Sequence, residues 1–78
     1  MSFIQQVNRL NRIDLLIRRK ATGSPKELAN LLEVSPRTIT NSINILRDLG
    51  ADIYFCHSSK SYVYSARFSF KLGYDSTN

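Results

Sequence analysis

The chain is poor in the residues from which catalytic and covalently braced sites are built. Its 78 residues include one cysteine, Cys56, and one histidine, His57. A single cysteine closes no intramolecular disulfide, so the fold does not rely on one. The Cys–His pair falls short of the four ligands of a closed zinc site, and neighbours in a strand point to opposite faces. No acid–base pair stands at suggestive spacing and there is no glycine-rich phosphate loop, which argues against an enzyme. No apolar run approaches 18 residues, and the start Met1-Ser2-Phe3-Ile4-Gln5-Gln6 lacks a basic n-region. The expectation is a soluble cytoplasmic protein with no membrane partner and no cofactor or metal. No small-molecule effector is indicated.

Acidic residues are scarce as well. Six Asp and Glu stand against eleven Lys and Arg, a formal charge of +5. On a small domain this balance favours an anionic partner, nucleic acid first, while charge alone leaves a basic surface kept for solubility as an equal alternative. The composition, 42% hydrophobic and 22% charged, is that of an ordinary globular chain. A chain of this length buries roughly 60–65% of its unfolded surface, enough for one core and little for a deep pocket. Residues 1–73 read as a single domain and 74–78 as a frayed tail.

What is present is pattern. Phe3, Val7, Leu10, Ile13 and Ile17 recur at three- and four-residue spacing, which predicts an amphipathic helix from about Ser2 to Lys20. Asp14 and Arg18 are spaced to pair, and Ile4 and Leu15 fall off the main stripe. After Ala21-Thr22-Gly23, the run Ser24-Pro25-Lys26-Glu27 combines a cap, a first-position proline and a capping-box glutamate. The helix it opens carries Leu28, Leu31 and Leu32 inward and ends near Glu33. Ser35-Pro36 opens another helix, which runs to Leu49 and stops at Gly50. Its inward stripe is Ile39, Ile43, Leu46 and Leu49, with Arg37, Thr40, Asn41 and Asn44 opposite. Beyond Gly50 the period changes to two. Ile53 to His57 and Tyr62 to Ala66 read as a hairpin around Ser58-Ser59-Lys60-Ser61. Arg67 to Leu72 continues the alternation as a third strand or an extension, with Phe68, Phe70 and Leu72 on one side.

Two short helices joined by a tight turn, the second longer and polar outside, are the sequence form of a helix-turn-helix. With the hairpin behind it, the expected fold is α+β: a winged helix-turn-helix of three helices and a β-hairpin wing. Helix 36–49 would enter the major groove, where Asn suits adenine and Arg suits guanine or phosphate. The wing at 58–61, with Lys60 at its tip, would lie on the backbone. Candidate DNA-binding residues are Ser35, Arg37, Thr38, Thr40, Asn41, Asn44 and Lys60. Ser35 and Thr38 sit at a helix N-terminus, which caps itself and also attracts phosphate.

The residues Glu27-Leu28-Ala29, Leu32, Val34-Ser35-Pro36-Arg37-Thr38-Ile39 and Leu46-Arg47-Asp48-Leu49-Gly50 resemble the helix-turn-helix of DeoR-type and related winged-helix transcription regulators of bacteria. The likeness covers about residues 12 to 66. It implies that the third helix is the recognition helix, with Arg37 to Asn44 facing double-stranded DNA, and that the outcome is transcription regulation. Asn41-Ser42 stands where those regulators commonly carry Arg-Asp, and the wing lacks their glycines. A homodimer, through Ile4 and Leu15 or through the strand from Phe68 to Leu72, would raise affinity. The alternative is a winged helix used for protein–protein contact without DNA affinity, through Tyr54, Tyr62, Tyr64 and Phe70.

Overall fold

The computed structural model describes residues 2–65. In chain order they form α1 (Phe3–Arg18), α2 (Pro25–Leu32), α3 (Pro36–Asp48), β1 (Ile53–Cys56) and β2 (Ser61–Tyr64). This is the expected winged helix-turn-helix architecture. The further strand expected over 67–72 and the tail from 74 lie outside the described residues.

All three helices start and stop by the same devices. Ser2, Ser24 and Ser35 hold extended backbone, and each hydroxyl accepts the N–H three residues on, from Gln5, Glu27 and Thr38 at 3.1, 3.1 and 3.2 Å. Such caps contribute about 1 kcal/mol each. At the other end, Lys20, Glu33 and Gly50 take positive φ. The chain then returns one N–H to the last turn: Ala21 to the Leu16 carbonyl, Val34 to Ala29 and Ala51 to Leu46, at 2.9, 3.0 and 3.0 Å. This pattern is the Schellman stop. Glycine takes the position freely only at Gly50. Lys20 and Glu33 hold φ of 54° and 59°, which costs a side-chain-bearing residue about 1 kcal/mol.

The core draws on every described element. Leu10, Ile13 and Ile17 of α1 meet Leu28, Ala29 and Leu32 of α2, Ile39, Ile43 and Leu46 of α3, and Ile53 of β1. Three expected core members are instead exposed: Phe3 at 69%, Leu31 at 53% and Leu49 at 48%. Phe3 sits in the first turn of α1, seven residues ahead of the first buried side chain of that helix. Leu31 is about 105° around α2 from the centre of the arc set by Leu28, Ala29 and Leu32. Leu49 follows the last helical residue, and Ala51, folded back by the Gly50 turn, is buried in its place. Ser42 joins the inward face of α3.

The hairpin is antiparallel, with Ile53 opposite Tyr64 and Cys56 opposite Ser61. The turn is therefore His57–Lys60, and Ser61 belongs to β2 rather than to the expected loop. Ser61 is fully buried. Its hydroxyl accepts the Thr22 N–H at 3.1 Å, while the Thr22 hydroxyl accepts the Tyr62 N–H at 2.9 Å. Thr22 is buried too, so this polar pair, 39 residues apart in sequence, fastens the hairpin to the α1–α2 linker with its hydrogen bonds made. A second tie joins the Tyr64 hydroxyl to the Asp14 carboxylate, which also holds Arg18 at 3.1 Å. The Arg18 guanidinium lies 5.2 Å from the Tyr64 ring centre. Tyr62 and Tyr64 pack against the core, which leaves Tyr54 as the exposed aromatic of the described strands.

Candidate nucleic-acid interface

The turn between α2 and α3 is three residues long, Glu33-Val34-Ser35. The left-handed Glu33 reverses the chain, and Ser35 at once caps the next helix. Pro36 suits the first helical position because its missing N–H would have had no intrahelical partner. α3 is thus held rigidly from its first turn, with Ile39, Ile43 and Leu46 locking its inner face to the core.

Of the seven candidate contact residues, Lys60 is in the hairpin turn and the six at α3 separate into two groups. Arg37, Thr40 and Asn41 are exposed on the outer face of α3, and no partner holds their side chains among the described residues. The other α3 candidates are engaged. The hydroxyls of Ser35 and Thr38 lie 3.1 Å apart, and Ser35 carries the cap. The Asn44 side-chain oxygen accepts Arg47 Nη1 at 3.4 Å. From Arg37 to Asn44 the outer face spans two helical turns, about 10.5 Å along the axis. Of the Asn41-Ser42 pair that departs from the regulators' Arg-Asp, Asn41 is exposed and Ser42 buried, so only Asn41 is open to solvent.

Lys60 occupies the last place of the hairpin turn with φ of 54° and is exposed. It lies near the N-terminus of α2, where it acts on Glu27. The Glu27 carboxyl is held below its ordinary value first by the Ser24 N–H at 2.8 Å, then by the Ser24 hydroxyl, with a smaller pull from Lys60. In the same turn the Ser59 hydroxyl, and after it the Ser59 backbone, lower the Cys56 thiol below its usual range. Phe55 packs edge-on against His57 and Tyr62, with centroids 5.2 and 5.4 Å apart, and stiffens the base of the turn.

One contributor had no signal in the sequence. Arg47 donates Nη2 to the Ile53 carbonyl at 2.8 Å, which ties the last turn of α3 to the first residue of β1. This bond sets the hairpin against α3. Nothing in the spacing of Arg47 and Ile53 distinguishes it from an exposed arginine near a helix end.

The model of a family described as HTH domain matches residues 9–55, from the middle of α1 to β1. No curated protein and no solved structure gives a significant match. With more than half of the chain inside the family model, the chain belongs to the helix-turn-helix domain family and is a DNA-binding domain of that kind.

Proposed function

We propose that this helix-turn-helix domain binds double-stranded DNA sequence-specifically and regulates transcription, as a binding module rather than an enzyme. Residues 1–73 act as the single domain. α3 lies in the major groove, and the observation that carries the reading is its unpartnered outer stripe of Arg37, Thr40 and Asn41. Asn41 is the principal base reader, since an amide can donate and accept at once against an adenine edge. Arg37 in the first turn takes phosphate or guanine, and Thr40 offers a hydroxyl and a methyl. Ser35, Thr38 and Asn44 support these contacts, with the hydroxyls of Ser35 and Thr38 at the N-terminus of α3, whose dipole favours phosphate. Lys60 brings the wing onto the backbone. A second copy docking on Ile4 and Leu15, both exposed on α1, would place two modules on one site. Light scattering that finds only monomer at high concentration would remove that pairing.

The test is binding to random-sequence duplex across a salt series, followed by selection of preferred sites. Affinity should fall steeply with salt, and Arg37→Ala and Lys60→Ala should each lower the slope by about one unit. Absence of duplex binding at low salt would defeat the reading. Equal binding to all sequences would make the protein architectural rather than regulatory.

A further inference from the structure

An open groove of about 340 Å³ runs between α1 and the helix-turn-helix turn, lined by Gln5, Asn8, Arg9, Arg12, Leu32 and Val34. Its chemistry is one-sided. The floor is two aliphatic side chains, Leu32 at the end of α2 and Val34 in the turn, and the α1 wall is two guanidiniums and two amides. Arg9 and Arg12 are three residues apart, so they stand together on one helix face. Neither is engaged in a hydrogen bond or an ion pair among the described residues, in contrast to Arg18, which Asp14 holds. Glu33, exposed between the two floor residues, pairs with neither. The Gln5 side-chain oxygen is taken by the Ser2 N–H at 3.3 Å, which leaves its amide nitrogen as the free group. The two guanidiniums and the amide nitrogens of Gln5 and Asn8 can therefore all donate, two of these groups carry positive charge, and the Asn8 side-chain oxygen is the one acceptor on the wall without a partner among the described residues. That donor set suits a phosphate.

The position of the groove says whose phosphate it is. Val34 is three residues from Arg37, at most about 11 Å of chain. The groove thus opens beside the N-terminus of α3, the end that meets the duplex in the function proposed above. We propose that Arg9 and Arg12 form a phosphate clamp on the DNA backbone flanking the major groove, engaged together with the first turn of α3. The site rests on the DNA-binding reading and adds α1 to it as the source of sequence-independent affinity. A phosphate group of a small metabolite has the same chemistry, and the experiment separates the two sources.

Duplex binding is measured over a salt series for the full chain and for Arg9→Gln/Arg12→Gln. The clamp predicts that the double variant weakens all duplexes alike and lowers the salt slope by about one unit per lost phosphate contact. Arg9→Lys/Arg12→Lys, which keeps the charges, should restore most of the slope, and unchanged thermal melting of both variants excludes misfolding as the cause. An unaltered slope and affinity in the Gln variant, with Arg37→Ala still impaired, would overturn the clamp and leave the DNA reading standing. No binding by the wild type would overturn both. The guanidinium Nε–H resonances of Arg9 and Arg12 supply the second readout. They should shift on adding duplex and stay in place with inorganic phosphate at matched ionic strength. Saturable shifts with inorganic phosphate, and none with duplex, would overturn the clamp in favour of a free anion.

Discussion

The outer faces of α1 and α3 rest on one core and carry opposite chemistry. Between Arg37 and Asn44, α3 shows one cation and a row of uncharged hydroxyl and amide groups. α1 carries Arg9, Arg12 and Arg18, offset by Asp14, which is already paired. Uncharged amides discriminate between base edges but gain little from a bare phosphate. Guanidiniums grip phosphate whatever the sequence, and their grip fades with salt. In the function proposed above, this difference would give selectivity to α3 and salt-dependent affinity to its surroundings: α1, and Lys60 in the hairpin turn.

The comparison presupposes that one core holds both faces in place, and the largest effects come from breaking it. Ile13→Ala in α1 and Leu46→Ala in α3 each remove a fully buried side chain. Each should cost about 2–5 kcal/mol in denaturant unfolding, enough to threaten a domain this small. Leu49→Ala, on the exposed last position, should cost no more than about 0.5 kcal/mol. A large loss at Leu49 would mean that the cap of α3 is packed as well.

Next in size is Asn41→Ala. It should cost about 1–3 kcal/mol on a preferred duplex and little on a scrambled one, as read by competition binding. A uniform loss on both would move Asn41 into the phosphate-binding group and blur the contrast between the helices.

Smaller effects belong to the turns that orient α3. Glu33→Gly should stabilise the fold by up to about 1 kcal/mol by relieving a left-handed residue, although glycine's greater unfolded-state freedom opposes the gain. Gly50→Ala should destabilise it by about 1 kcal/mol, because φ of 109° is foreign to alanine. Thermal melts of the two variants should therefore move in opposite directions.

The smallest effect is confined to high pH. Burial first, then the hydrogen bond to Asp14, raises the Tyr64 phenol above its ordinary value near 10. A value raised in the folded state gives stability that is complete below about pH 10 and lost as pH rises beyond it. Stability should fall in that range, and Tyr64→Phe should flatten the decline. An alkaline limb unchanged in the variant would mean that the tie between α1 and β2 is not carried by this hydroxyl.

Much of the scaffold was legible because its signals are local. Ser24-Pro25 and Ser35-Pro36 announce their helices within four residues, and Gly50 marks the stop. Periodicity placed Leu10, Ile13, Ile17, Ile39, Ile43 and Leu46 inside. It failed at Phe3, Leu31 and Leu49, because a stripe shows which side of a helix is apolar and not how far a neighbouring element covers it. Ser61 read as a loop serine, since its partner Thr22 is 39 residues away and buried hydroxyl pairs leave no local pattern. The outward stripe of α3 was legible for the same reason as the core, being its complement. The tie from Arg47 to Ile53 and the groove beside Arg9 and Arg12 were not, because each depends on how separate segments meet.

The division of labour between the two helices is tested most directly by one set of titrations: wild type, Asn41→Ala and Arg9→Gln/Arg12→Gln, each against a selected duplex and its scrambled counterpart over a salt series. Asn41→Ala should lose the preference between duplexes and keep the wild-type salt slope. The arginine variant should keep the preference and lose about one to two units of slope. A wild-type protein with no salt-dependent affinity for either duplex would contradict the account at its root.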